Sequence, residues 1–141
     1  MKQVGFILLL LGILSYFGYQ IYDRQYNLEE SIRNEIKVLL IYNKNENSDI
    51  LKAYKSVLEE EGVPFELISN EQLIKLSPDT IYMNVPAIIF PDSVNQYIEN
   101  STDYWIDRYV KSGGKVALIY DVGTQEKDGT YKLSGESLIS C

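Results

Sequence analysis

Two aspartates, Asp92 and Asp121, each close a short apolar run, and Asn43 and Gly123 stand at comparable places in the chain. Two carboxylates that converge can exchange protons with a substrate or bind a divalent cation. An aspartate at the end of a strand more often caps the turn or helix that follows. The sequence therefore offers Asn43, Asp92, Asp121 and Gly123 as candidate ligand-binding residues. An enzyme that uses the pair Asp92 and Asp121, with or without a cation, is the alternative interpretation.

The missing residue types exclude most catalytic constellations. The chain has 0 histidines, which rules out a Ser-His-Asp triad, a Cys-His pair and any zinc or iron site that needs histidine. Its single cysteine, Cys141, has no partner for an internal disulfide. Neither a phosphate-binding G-x-x-x-x-G-K-[ST] pattern nor a dinucleotide-binding G-x-G-x-x-G pattern occurs. We therefore expect no catalytic residues, no cofactor and no resident metal.

Short apolar runs alternate with segments of helical spacing. Continuous runs of this kind are typical of strands that are buried on both faces. The predicted strands are Lys37 to Asn43, Val63 to Ile68, Ala87 to Asp92 and Lys115 to Asp121. Three helices are predicted between these strands. The first is capped by Asn47 or Ser48 and ends at Gly62, and the second is a short helix from Asn70 to Leu76. The third is long: it starts at the capping box Ser93 to Gln96, can break at Asn100 to Thr102 and stops at Ser112 to Gly114.

This alternation predicts β-α-β units, and therefore an α/β fold with a doubly wound parallel sheet in three layers. In such sheets, ligands bind beyond the carboxyl ends of the strands, near the point where the strand order reverses. The strand ends here are Asn43, Ser69, Asp92 and Asp121. We expect the candidate residues to share that edge of the sheet.

The chain starts with an apolar segment that would fit a bilayer. A helix from Val4 to Tyr22 would span roughly 28 Å, close to the hydrocarbon thickness of a membrane. The segment ends in aromatic residues instead of the small ones that a signal-peptide cleavage site requires, which favours a retained signal-anchor over residues 1–22. A cleaved signal peptide and a buried soluble helix are the alternatives. Lys2, before the segment, predicts a cytoplasmic N-terminus and an extracytoplasmic domain.

Residues 23–35 are polar with thinly spaced apolar positions, as in a helical stalk or a flexible tether. The folded domain follows as residues 36–141. Because the chain stops soon after the fourth predicted strand, at what resembles the start of a further element, we expect this domain to be incomplete at its C-terminal end. Such a sheet would leave one edge open.

The charge balance excludes a nucleic-acid partner. The chain has 20 acidic and 13 basic residues, a net charge of −7, and no cluster of lysine or arginine. Such a surface repels phosphate backbones and anionic lipid headgroups. The hydrophobic fraction of 45% is that of a folded chain.

Several segments together resemble a known fold family. The strands KVLLIYN and AIIFPD, the helix end EEEGVPFELI and the segment YVKSGGKVALIYDVG are similar to the flavodoxin-like, class I glutamine amidotransferase-like fold, over roughly residues 36–123. Members with hydrolytic activity carry a cysteine nucleophile in a tight turn after a strand, with a distal histidine and glutamate. Asp121 stands at the comparable place in this chain, so the resemblance does not extend to that activity.

The resemblance also implies a setting. Divergent extracytoplasmic versions of this fold accompany polysaccharide deacetylase-type domains in bacterial proteins. It therefore implies a non-catalytic, single-pass protein of the bacterial inner (plasma) membrane that serves ligand binding or assembly in a cell-surface polysaccharide system. The expected partners are the lipid bilayer, other proteins of the cell envelope, or a carbohydrate.

Overall fold

The computed structural model describes residues 15, 16, 18–20, 30, 32, 35–43, 46 and 48–133. The chain divides into two compact units, Met1–Ser31 and Ile32–Cys141. In the first unit, residues 15, 16, 18–20 and 30 are helical. No helix in the described part of the chain is both long and apolar enough to cross a membrane. Most of the proposed anchor lies outside the described residues.

The second unit is an α/β domain. In its described part, strands and helices follow in the order β1 (Val38–Tyr42), α1 (Asp49–Glu60), β2 (Phe65–Ser69), α2 (Asn70–Leu73), α3 (Pro78–Ile81), β3 (Ala87–Phe90), α4 (Asn100–Lys111) and β4 (Lys115–Leu118). Each strand lies within, or within one residue of, the apolar run that predicted it. The predicted α/β class is therefore confirmed.

The strands form one parallel sheet in the order β2-β1-β3-β4. After β2 the chain returns across β1 to form β3, so the strand order reverses between β1 and β3. Leu40 of β1 pairs with Leu67 of β2 on one side and with Ile89 of β3 on the other. The carboxyl ends of all four strands consequently lie at one edge of the sheet.

The core lies on both faces of β1. On one face, Leu40 packs with Leu51 of α1 and with Val94, and Tyr54 and Leu58 of α1 join the same cluster. Successive strand residues point to opposite faces, so Leu39 and Ile41 face the other way, and both are fully buried. The continuous apolar run of β1 thus reflects burial on both sides.

Local signals place the helix ends of α1. The side chain of Ser48 accepts a hydrogen bond from the Leu51 amide, which confirms it as the N-cap. At the other end the Gly62 amide donates to Glu59 O and the Val63 amide to Leu58 O, the paired bonds of a Schellman motif. Gly62 has a φ of +65°, as the motif requires.

The prediction of a long helix from Ser93 was wrong. Ser93 has a φ of +62°, whereas an N-cap residue has extended backbone. Its amide donates to Asp121 and does not receive the Gln96 side chain, so no capping box forms. The helix starts at Asn100, which means that Asn100 to Thr102 begin it and do not break it.

A capping box of the same S-x-x-Q form does exist elsewhere. Ser69 accepts from the Gln72 amide, and the Gln72 side chain accepts from the Ser69 amide. It opens α2, which is shorter than the predicted helix from Asn70 to Leu76. After α2 the chain continues in turns to Leu76 and then forms α3.

Helix α4 is fixed by two buried aromatic side chains. Trp105 and Tyr109 stack with ring centroids 5.3 Å apart. The Trp105 indole N–H donates to Leu76 O at 2.8 Å, and the Tyr109 hydroxyl donates to Val85 O. Burial raises the pKa of Tyr109 to about 12, so this hydroxyl stays protonated at neutral pH. Both bonds attach α4 to the loops that precede β3.

Gly114 is the position in this region that is most sensitive to an added atom. It completes the Schellman motif of α4, and a Cβ there would overlap the ring of the buried Tyr109. Because that ring is held by its stack and its hydrogen bond, we expect Gly114→Ala to lower the free energy of unfolding by about 3 kcal/mol. Chemical denaturation would measure this.

Gly62→Ala is the matched control. A Cβ at Gly62 has nothing within 4 Å, so only its left-handed backbone opposes the substitution. That penalty is about 1 kcal/mol. Equal losses for the two variants would contradict the close packing of Gly114 against Tyr109.

Candidate functional site

The candidate residues do lie at one edge of the sheet. Asn43 directly follows β1, Asp92 follows β3 by two residues, and Asp121 and Gly123 follow β4. All four contact, or belong to, the segment of residues 91–99 that joins β3 to α4. We call this segment the cross-edge loop. Its hydrogen bonds define the chemistry of the edge.

Asn95 anchors the cross-edge loop between the carboxyl ends of β1 and β3. Its side-chain N–H₂ donates to Ile41 O at 2.8 Å and to Pro91 O at 3.0 Å, and the residue is 0% exposed. This orientation is required, because a turned amide would set its oxygen against two carbonyl oxygens. Asn95 thus occupies the crevice where strand order reverses, the usual ligand position in such sheets.

The carbonyl oxygen of the same Asn95 side chain is buried, and no donor among the described residues reaches it. A buried polar atom without a partner carries a free-energy penalty of about 1–3 kcal/mol. The two bonds that the amide donates must offset this penalty. The side chain is therefore engaged with the fold through the two bonds that its amide donates.

Asn43 fastens the loop to β1. Its side-chain N–H₂ donates to Tyr97 O at 2.9 Å, and its backbone amide donates to Val94 O at 3.3 Å. Both groups are used within the protein. Asn43, at the end of β1, thus connects the strand to the cross-edge loop by hydrogen bonds.

Asp121 holds the loop from the β4 side. One carboxylate oxygen accepts from the Ser93 amide at 2.8 Å, and the other accepts from the Gln96 side chain at 2.6 Å. Among the residues that the structure describes, Ser93 and Tyr120, the residue before Asp121, are the non-glycine residues with positive φ, at +62° and +50°. The carboxylate therefore bridges two strained turns.

Gly123 meets the loop through its backbone. Its amide donates to Asn95 O at 3.0 Å, and its φ is +70°. A left-handed backbone of this kind favours glycine. The residue is buried, so its role is to let the chain after β4 turn close to the loop.

Asp92 has a different partner from Asp121. Its carboxylate accepts from the Tyr54 hydroxyl of α1 at 3.3 Å. Burial and then the nearby Asp92 charge raise the pKa of Tyr54, which keeps the hydroxyl in its donating form. The two aspartates at this edge are therefore engaged with opposite neighbours, Asp92 with α1 and Asp121 with the cross-edge loop.

The described residues contain no group of three or more His, Cys, Asp or Glu that could hold a metal ion. Cys141 lies outside them. Sequence reasoning missed Asn95, Gln96 and Tyr54 as residues of this edge. The sequence predicts the first two in the long helix that starts at Ser93, and Tyr54 in the helix that is capped by Asn47 or Ser48. Asn95 and Gln96 follow the apolar run AIIFP closely, and this position indicates residues at the carboxyl edge of the sheet. The apparent capping box from Ser93 to Gln96 favours a helix instead.

The hydrogen bonds of Asp121 can be tested directly. Asp121→Ala removes both acceptors of the strained Ser93 turn, and we expect it to lower the free energy of unfolding by about 1–2 kcal/mol. Asp121→Asn, which keeps one acceptor for the Ser93 amide, should lose about half as much. Asp92→Ala removes a single, longer hydrogen bond and serves as the control, with a loss of about 0.5 kcal/mol. Urea denaturation measures all three, and a larger loss for Asp92→Ala would contradict the assigned roles.

No protein-family model, no curated protein and no solved structure matches this chain.

Proposed function

We propose that the chain is a single-pass membrane protein whose extracytoplasmic α/β domain binds a ligand or assembles with other envelope components, without catalytic activity of its own. In this proposal residues 1–22 are the signal-anchor, residues 23–35 the stalk and residues 36–141 the domain. The N-terminus lies in the cytoplasm of a bacterial cell. A role in a cell-surface polysaccharide system rests on the family resemblance alone.

The finer fold assignment belongs to the same proposal. The order β2-β1-β3-β4 is that of the first four strands of a flavodoxin-like sheet. The helices that follow β1 and β3 would then lie on opposite faces, because right-handed crossovers lead to strands on opposite sides of β1. A three-layer, amidotransferase-like domain is consistent with both features.

The observation that carries the non-catalytic interpretation is the use of Asp121. The family resemblance places a nucleophile near this residue, yet both of its carboxylate oxygens accept hydrogen bonds from the cross-edge loop. Asn95 of that loop occupies the crevice between β1 and β3. Each of these donors occupies one lone pair of the carboxylate and fixes its orientation toward the loop. These contacts support a structural role for Asp121.

The first prediction concerns the anchor. Leu10→Arg combined with Leu11→Arg should prevent stable insertion, because each charge near the centre of a spanning helix costs about 2.5–3.5 kcal/mol. The double variant Leu10→Ile and Leu11→Ile keeps the hydrophobicity and is the matched control. Membrane fractionation should find the control in the membrane and the arginine variant outside it. Protease added to spheroplasts should digest the domain of the unaltered protein.

A soluble unaltered chain, or a domain protected until the membrane is lysed, would contradict the anchor or its orientation.

The second prediction concerns chemistry. The full-length protein should show no turnover on a panel of ester, amide and glycoside substrates, with or without Mg²⁺, Ca²⁺ or Mn²⁺. Turnover that disappears in both Asp92→Asn and Asp121→Asn would establish the carboxylate-pair enzyme instead. Circular dichroism must first show that both variants remain folded, because an unfolded variant would lose turnover for a reason unrelated to catalysis.

A further inference from the structure

A polar groove lies beside the cross-edge loop. It runs between residues 97–101, which include the first residues of α4, and a hairpin of residues 124–132. Its volume of about 550 Å³ would admit a small molecule. The groove is open to solvent and lined mainly by polar groups. None of Asn43, Asp92, Asp121 and Gly123 lines it.

Backbone hydrogen bonds fix the two walls of the groove relative to each other. Tyr97 pairs in parallel with Gln125, whose amide donates to Gln96 O at 2.9 Å. Gln125 also pairs in antiparallel fashion with Tyr131, which closes the hairpin. The groove is therefore bounded by paired backbone on both sides, and a ligand would meet a largely preformed surface.

The tip of the hairpin is also held. The Asp128 carboxylate accepts from the amide and the hydroxyl of Thr130, at 2.9 and 2.7 Å. These hydrogen bonds, the one from the hydroxyl first, lower the pKa of Asp128. The carboxylate is therefore engaged in holding the tip of the hairpin. Gly129, with a φ of +88°, allows the tight turn.

Four charged residues line the groove, two of each sign: Glu99, Glu126, Lys127 and Lys132. Among the described residues, no ion pair involves any of the four. Glu99 is the N-cap residue of α4, yet its side chain makes no capping hydrogen bond. These four charges are consequently available to a ligand. The charges that line the groove sum to zero, although the net charge of the whole protein is −7.

We propose that this groove binds a small zwitterion, with its ammonium group against Glu99 and Glu126 and its anionic group against Lys127 and Lys132. A simple anion would be repelled by the glutamates and a simple cation by the lysines, whereas a ligand with both charges satisfies both pairs. The inference rests on the proposed ligand-binding function and names its site. Two sources share this chemistry: a peptide with free termini, and an amino sugar that carries an acidic group.

Binding can be measured with defined probes on the full-length protein in a non-ionic detergent. Triglycine represents the peptide and glucosamine 6-phosphate the amino sugar. We expect at least one of them to bind with a dissociation constant on the order of 1 mM, measured by isothermal titration calorimetry. N-acetyl-triglycine, which lacks the ammonium group, and triglycine amide, which lacks the carboxylate, should bind about tenfold more weakly than triglycine if the peptide is the ligand.

Paired substitutions locate the two charges. Lys127→Gln with Lys132→Gln should weaken zwitterion binding by about fivefold to tenfold, but should not weaken triglycine amide further, since that probe has no carboxylate to lose. Glu99→Gln with Glu126→Gln should also weaken zwitterion binding, but should not weaken N-acetyl-triglycine further, since that probe has no ammonium group to lose. The matched control, Glu71→Gln with Lys75→Gln, changes exposed charges that do not line the groove and should leave binding unchanged.

The proposal is overturned if neither zwitterion binds at concentrations well above 1 mM, or if the control pair weakens binding as much as the groove pairs do. Equal binding of triglycine and its two blocked forms would also overturn it. These failures are distinct from failure of the proposed function, which is decided by membrane fractionation and by the absence of turnover.

Discussion

The arrangement of the carboxyl edge depends on the hydrogen bonds that Asn95 donates between β1 and β3. At the carboxyl end of a parallel sheet, the last backbone carbonyl groups have no further strand residue to donate a hydrogen bond to them. They therefore need hydrogen-bond donors from elsewhere in the chain. Asn95 meets this need from the cross-edge loop with bonds to Ile41 O and Pro91 O. Because the side chain is fully buried, these bonds form without competition from water. The position of the loop, and with it that of Asp121, follows from this contact.

Backbone strain at the same edge is balanced by Asp121. A non-glycine residue in the left-handed region costs about 1 kcal/mol, and both Ser93 and Tyr120 adopt it. Two hydrogen bonds to the carboxylate of Asp121 are of sufficient strength to offset that strain. Tyr120 is also 86% exposed, so packing of its ring does not impose this conformation. The aspartate after β4 thus has a structural reason for its position that requires no chemistry.

Local rules predicted the strands and several helix ends because those signals act over a few residues. The apolar run of β1 reflects burial on both faces, and that of β3 is buried at alternate positions. The run of β4 predicted the strand but not its burial, because Lys115 and Ala117 are exposed. Ser48, Gly62 and Ser112 to Gly114 act within one helical turn. The cross-edge loop was mispredicted because Ser93 and Gln96 have the spacing of a capping box, while their actual partner, Asp121, is 25 to 28 residues away. The edge that would carry the candidate site could be predicted from strand ends. The partners of Asn43, Asp92 and Asp121 could not, since they are set by tertiary contacts.

The cross-edge loop changes where a ligand would have to bind. In open parallel sheets the crevice between the reversing strands is accessible, and a ligand there receives backbone and side-chain contacts from both strand ends. Here the Asn95 side chain already donates hydrogen bonds to Ile41 O and Pro91 O at these strand ends. A ligand in the crevice would have to displace this buried side chain and break both hydrogen bonds. The groove beyond the loop requires no such displacement, because its charged side chains are solvated and its walls are already paired. A binding site at the outer face of the loop is therefore less costly to occupy than the position that the topology alone would suggest.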